Sequence, residues 1–323
     1  MKLETDRDAT EWVYAAKALA VVSAYMELGI FAKLAAGPVR VSELGLDARA
    51  ALTTLPVLRH VGLVAGDADV VTLTPAGRRA LEAGDLPTGR NLEALRDLSR
   101  MKDVLLHGGP VVGDDGKSKG TTGGTRADDP AATARFLDML YASSESAAAT
   151  TFAWLSPMLA ARSRVLDLGG GHGRYLRVFA DAGHHSTLFD LPHVVTYARG
   201  RHGDAIDYVE GDFHESPLGG PYDLALLSNI IHGEGDAEVE RLLGRLAAAL
   251  APGGRVAIKD MFLDEQAAGP ANAAFFGLTM LFMTRAGRSP SFAQLRGWLA
   301  AAGFGPPQVI LLETHSLVVA QKA

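Results

Sequence analysis

Apolar residues in the first hundred positions recur at helical spacing, whereas beyond residue 160 they gather into short runs, so the architecture changes along the chain. Residues 15–34 place Ala18, Val21, Val22, Tyr25, Leu28 and Phe31 on one helical face before Gly37 and Pro38 end the pattern. Val41-Ser42-Glu43-Leu44 predicts a capped short helix and 52–61 a second helix. Val70-Val71-Thr72-Leu73-Thr74 predicts a strand ahead of Pro75-Ala76-Gly77, which completes a winged-helix pattern of helix, helix and β-wing. Residues 131–154 read as helix again, with Phe136, Met139, Leu140, Phe152 and Trp154 apolar.

Short apolar runs at 164–168, 187–189, 206–210, 224–227, 256–258, 309–312 and 317–320 predict strands. Helical stretches at 174–182 and 236–250 lie between them, which implies an α/β doubly wound sheet closed by a late hairpin. In such a sheet ligands bind beyond the carboxyl ends of the strands.

The first run continues as Arg164-Val165-Leu166-Asp167-Leu168-Gly169-Gly170-Gly171-His172-Gly173, a strand, a glycine turn and a helix start. Glycines let the backbone approach a ligand, and a helix start offers free N–H groups. The dinucleotide fingerprint G-x-G-x-x-G fails here, because the last position is Arg174 from Gly169 and Leu176 from Gly171. What fits is Asp167-x-Gly169-x-Gly171-x-Gly173, the pattern of S-adenosyl-L-methionine (SAM) sites; alone it leaves a ligand-free glycine turn equally open. Asp190 ends the second run 19 positions beyond Gly171, where an acid reaches ribose hydroxyls. Gly211-Asp212-Phe213 follows the third, offering an acceptor for an adenine amine and a ring against the base.

With these segments, together with Phe189-Asp190-Leu191-Pro192-His193-Val194, residues 227–232 and Pro252-Gly253-Gly254-Arg255-Val256, the chain resembles the class I SAM-dependent methyltransferases. More narrowly it resembles the O-methyltransferase family shared by plant phenylpropanoid and bacterial natural-product enzymes, with a Rossmann-like catalytic domain. The resemblance implies cofactor contacts at Asp167, Gly169, Gly171, Asp190, Leu191, Gly211, Asp212, Phe213 and Ser228, with S-adenosyl-L-homocysteine (SAH) as product. It places a general base at His232 and its acidic partner at Asp260. A carboxylate on Nδ1–H fixes the tautomer and leaves Nε2 to accept a proton. The helix lining the family's acceptor pocket corresponds to 271–284, giving substrate contacts at Asn272, Phe276, Met280 and Met283, with Met139 on the approach.

Three departures from the family are visible. Gly233-Glu234 stands where Asp-Trp commonly follows the histidine, Ser228 replaces a lysine near the cofactor, and Ser289 replaces a second acid. The expected activity is O-methylation of an aromatic or polyketide-like small molecule in secondary metabolism. The departures keep open C- or N-methylation, a SAM-retaining lyase or cyclase, and a SAM-sensing regulator.

Composition narrows the classes. With 48% hydrophobic and 21% charged residues the chain is globular, and the absence of cysteine removes disulfides, thiolate nucleophiles and Cys-based metal sites. No His-Glu-x-x-His spacing occurs, so no metal is expected. No apolar run reaches membrane-spanning length, and Lys2, Glu4, Asp6, Arg7 and Asp8 are unlike a signal peptide, which places the expected protein in the cytoplasm and off membranes. Residues 1–100 carry 12 Lys or Arg against 13 Asp or Glu, where a nucleic-acid partner needs a positive face. By resemblance, 1–100 is instead a winged-helix-like dimerisation domain, implying a homodimer. Residues 101–153 form a linker, with a glycine-rich flexible loop at 108–130 and a connecting helix, and 154–323 the SAM-binding domain.

Overall fold

The computed structural model describes residues 6–88, 96, 98–110 and 127–323. The chain divides into two compact units, 1–102 and 103–323.

In the first unit the apolar stripe of 15–34 forms two helices where one was expected. Helix α1 covers Asp6–Glu27 and α2 covers Ile30–Ala35. Gly29 separates them at φ 67°, a left-handed conformation that glycine adopts without steric cost. The break turns Val22 and Tyr25 of α1 and Ile30, Phe31 and Leu34 of α2 into one core, and leaves Leu28, expected on the apolar face, 61% exposed. After β1 (Val39–Arg40), α3 (Ala48–His60) starts at Asp47, whose side chain accepts from Ala50 N at 2.9 Å. The expected lone strand is the centre of a small antiparallel sheet, β1-β3-β2, with β2 at Val64–Gly66 and β3 at Val70–Leu73. Thr74 then caps α4 (Pro75–Glu82), accepting from Gly77 N at 2.9 Å, with Pro75 at the first helical position. On the outside of α1 and α3, Trp12, Val13, Tyr14, Leu52 and Val61 are exposed. Tyr14 and Val61 line a groove of about 490 Å³ together with Ala18, Pro56 and Val57.

Helix α5 (Met101–His107) spans the division between the units. Most of the expected glycine-rich loop, 111–126, lies outside the described residues. The helix expected over 131–154 is two, α6 (Pro130–Ser143) and α7 (Glu145–Leu155). The hydroxyls of Ser143 and Ser144 bond back to carbonyls of the preceding turn, the local competition that makes serine a poor helix-interior residue.

The second unit is built on a seven-stranded sheet, ordered β6-β5-β4-β7-β8-β10-β9. In chain order come β4 (Arg164–Leu168), α8 (Arg174–Asp181), β5 (His185–Asp190), α9 (Pro192–His202), β6 (Asp207–Glu210) and β7 (Tyr222–Ser228). They are followed by α10 (Asp236–Ala249), β8 (Leu250–Asp260), α11 (Ala271–Met283), α12 (Phe292–Ala301), β9 (Gln308–Leu311) and β10 (Ser316–Gln321). Strand β8 begins six residues before the expected 256, because Leu250 already pairs with Tyr222 across an irregularity in the register. All pairs are parallel except those of β10, which runs antiparallel to β8 and β9.

Alternation along the strands feeds two cores. Leu166, Leu168, Leu227 and Ile258 pack with Leu242 and Leu246 of α10 and Leu295 and Leu299 of α12. Val165, Leu226 and Ala257 pack with Leu176 and Phe179 of α8 on the other face. Burial on both faces explains why these strands read as unbroken apolar runs. It also brings the carboxyl ends of β4 to β8 to one rim. No helix among the described residues is long and apolar enough to cross a membrane.

Candidate active site

One half of the rim is made by backbone. Gly169, Gly171 and Gly173 have φ of 68°, 54° and 74°, so the alternate spacing marks three left-handed residues. At Gly169 space is limiting as well, since a methyl group added there would sit 2.4 Å from Ile230 Cδ1. Asp190, at the tip of β5, closes the loop. Its Oδ2 accepts from Gly171 N at 2.8 Å and its Oδ1 from Leu191 N at 2.7 Å. Burial pushes the Asp190 carboxyl up to about 6, while these two N–H groups pull it back. Asp167 lies beneath the loop, 1% exposed, and neither oxygen has a hydrogen-bond partner among the described residues. Burial, then the Asp190 charge, pushes it up to about 7.

Around the next strand ends, Gly211 N donates to Asp190 O at 3.0 Å, tying the third loop to the second. Asp212 is exposed, and its Oδ1 accepts from His214 N at 2.8 Å. Phe213 is half-buried, with Cε1 3.8 Å from where a Gly169 side chain would begin. Asp190, Phe213 and the glycine loop therefore converge on one cradle, and Leu191 caps α9 beside it. The bare α-carbons, the positive φ values and the unpartnered Asp167 carboxyl suit a ligand that backbone must approach closely.

The other half is made by side chains. His232 Nδ1 lies 2.7 Å from Asp260 Oδ1, and His232 N donates to Asp260 Oδ2 at 3.3 Å. Since an ionised carboxylate only accepts, the proton of the shorter bond is on Nδ1 and Nε2 is the acceptor nitrogen. Asp260 is 0% exposed and also accepts from Met261 N at 2.8 Å. The Phe276 ring of α11 meets the imidazole edge-on at 4.7 Å and 87°. Behind the base, a methyl group added at Gly287 would sit 2.4 Å from His232 O, so 287 and 232 are in backbone contact.

A profile of the O-methyltransferase domain family matches residues 116–305, more than half of the chain. The chain belongs to that family. It is similar to acetylserotonin O-methyltransferase of Mus musculus, 37% identical over 151 residues, covering 43% of this chain and 38% of the mouse protein. It is also similar to 3-amino-4-hydroxybenzoate 4-O-methyltransferase of Streptomyces cremeus, 35% identical over 161 residues, 47% of this chain and 43% of that one. These matches thus span about two-fifths of the relatives' own length. In fold the chain resembles human N-acetylserotonin methyltransferase in complex with SAM, with TM-score 0.75, 23% identity and both chains covered in full.

Within this O-methyltransferase family the departures acquire physical substitutes. Glu234 reaches His214, Oε2 to Nε2 at 3.4 Å, and the His214 ring lies 4.6 Å from Phe213. A carboxyl–imidazole contact thus stands beside the Phe213 ring; burial raises the Glu234 carboxyl and His214 opposes this. Ser289 is 4% exposed and its Oγ donates to Ala273 O at 2.7 Å, fastening α11 rather than supporting the base. Ser228 ends β7 half-buried, paired with Lys259.

The acceptor residues divide. Phe276 touches the base, Met280 is 8% exposed, and Met283 and Met139 are exposed. Asn272 departs from its expected role, because its amide nitrogen donates to Thr314 O at 2.8 Å and ties α11 to the β9–β10 turn. Sequence reasoning missed Lys259, Asn229 and His315, which surround the dyad. The signal was a single lysine breaking the apolar run Val256-Ala257-Ile258 directly before Asp260.

Proposed function

We propose that the chain methylates a hydroxyl of an aromatic or polyketide-like small molecule, consuming SAM and releasing SAH. The observation carrying this reading is the His232–Asp260 pair on the rim that also bears the glycine cradle. Asp190 and Asp212 would receive ribose and adenine donors, Phe213 would lie against the base, and the glycine loop would hold the methionine end. When bound, SAM supplies a methyl group activated by its sulfonium charge. The chain's own residues handle the acceptor. Phe276 orients the ring, Nε2 of His232 takes the hydroxyl proton, and Asp260 stabilises the imidazolium through Nδ1–H. Holding both reactants on one rim replaces a bimolecular encounter with a positioned pair. The names of the relatives support hydroxyl acceptors, one of them an aminohydroxybenzoate.

The test is incubation with methyl-labelled SAM and a panel of aromatic hydroxyl compounds, counting SAH formed per product. One SAH per product supports transfer. Product without SAH sinks it in favour of a lyase or cyclase.

The same reading makes the protein a homodimer through its winged-helix-like first unit. Support comes from the exposed Trp12, Val13, Tyr14, Leu52 and Val61 and the groove between α1 and α3, apolar surface of the kind that a second copy would cover. Sedimentation at micromolar concentration should give twice the chain mass, and a monomer would remove this part of the reading.

A further inference from the structure

Lys259 is 3% exposed and stands one residue before Asp260 in β8. Adjacent strand residues face opposite sides, so its side chain leaves on the α8 face, with Nζ 5.5 Å from the Tyr175 ring centroid. An ammonium has three donors. Its hydrogen-bond acceptor among the described residues is Asn229 Oδ1, at 3.5 Å, the outer limit of such a bond, and no carboxylate lies within ion-pair distance. Asp260 acts on the ammonium electrostatically but forms no ion pair with it, its oxygens facing His232 and Met261 N instead.

The neighbours place this cation beside the dyad. Asn229, three residues before His232, is held at φ 60° and its N donates to Lys259 O at 2.8 Å, so the rim of the base loop is pinned over the ammonium. Lys259, Asp260 and His232 all act electrostatically on His315, which puts the four groups in one cluster. Nζ lies between Asn229 of the 229–232 loop, at 3.5 Å, and Tyr175 of α8, at 5.5 Å, so the ammonium sits where the two halves of the rim meet. A buried cation without a directly paired carboxylate is costly, and an anion placed against it relieves that cost.

We propose that Lys259 binds the carboxylate of an acidic acceptor, so that a hydroxy-substituted aromatic acid is held by ammonium at one end and by His232 at the other. This deepens the methyl-transfer reading and rests on it. The shared chemistry, a carboxylate, could also come from the methionine end of the cofactor, and the experiment separates the two sources.

The experiment uses SAH-loaded protein and needs no turnover, so a failure of methyl transfer cannot imitate a failure of this proposal. Calorimetry compares hydroxybenzoic and hydroxynaphthoic acids with their methyl esters, on wild type, Lys259→Met and Lys259→Arg. The expected result is an acid bound at least tenfold more tightly than its ester by wild type. Lys259→Met should weaken the acid about tenfold to a hundredfold, the range for one charge-assisted bond, and leave the ester unchanged. Lys259→Arg should retain part of the preference, and a thermal melt of Lys259→Met should match or exceed wild type because a buried charge is gone. The proposal is overturned by wild type binding no acid of the panel, by equal acid and ester affinity, or by acid affinity unchanged in Lys259→Met. It is also overturned if Lys259→Met weakens SAH but not 5′-methylthioadenosine, which lacks the carboxylate; the ammonium then serves the cofactor.

Discussion

On the proposed methyl-transfer reading, the two halves of the rim would hold their small molecules in opposite ways. At the ends of β4, β5 and β6 the work falls to backbone: left-handed glycines, an α-carbon with no room for a methyl group, and a carboxylate engaged by two N–H groups. At the ends of β7 and β8, with Phe276 of α11 beside them, it would fall to side chains, His232, Asp260 and, as proposed, Lys259, which a change of residue alters without moving the chain. The difference teaches that a site set by backbone is specialised for one ligand, whereas one set by side chains can vary its guest while the fold stands still.

The sharpest test of that division is His232→Ala. Loss of a general base costs about 10² to 10⁴ in rate, while SAH affinity should stay within twofold because the cradle lies on other loops. A parallel loss of affinity in calorimetry would show the halves to be one device.

Next in size is Asp167→Asn. A carboxyl raised by burial favours its protonated form, so its stabilisation is complete below about 4 and is lost as pH rises through about 7. Removing the charge should therefore raise the melting point at pH 8, with a gain in stability on the order of 4 kcal/mol, and leave it unchanged near pH 4. A variant less stable at pH 8 would mean the carboxylate has a partner in the folded protein.

Asp190→Ala should weaken SAH about tenfold to a hundredfold. In the wild type the same affinity should fall as pH drops through about 6, because protonation converts an acceptor of ribose hydroxyls into a donor. A flat titration between pH 5 and 7 would dissociate Asp190 from the nucleoside. The smallest effect is expected from Glu234→Gln, where a half-screened pair contributes about 0–1 kcal/mol, measured as less than a fivefold change in SAH affinity.

These expectations also show which parts were legible in the residues. The glycine spacing, Asp190 and the strand ends could be read because backbone conformation leaves a residue signature: only glycine suits the left-handed positions of the loop, and strands buried on both faces must be apolar. His232 and Asp260 were found through resemblance, since 28 positions separate them and register alone brings them together. The break at Gly29 was hidden because both sides of it are apolar and helical. Asn272 misled because a polar residue on a lining helix can bond to its own protein, as it does at Thr314. Lys259 was overlooked because one charge at a strand end resembles a solvated terminus, and only the packing of α8 and the 229–232 loop shows it enclosed.

The contact between Gly287 and the His232 carbonyl has a consequence for regiochemistry. His232 is held at two points, its carbonyl against Gly287 and its Nδ1 on Asp260, so the imidazole is a fixed post. If the proposed methyl transfer holds, on a ring with several hydroxyls the one that reacts would be decided by geometry measured from that post, as a ruler measures, and a substitution that lengthens or shortens the far end of the ruler should move the methyl group to a different carbon's oxygen without touching His232.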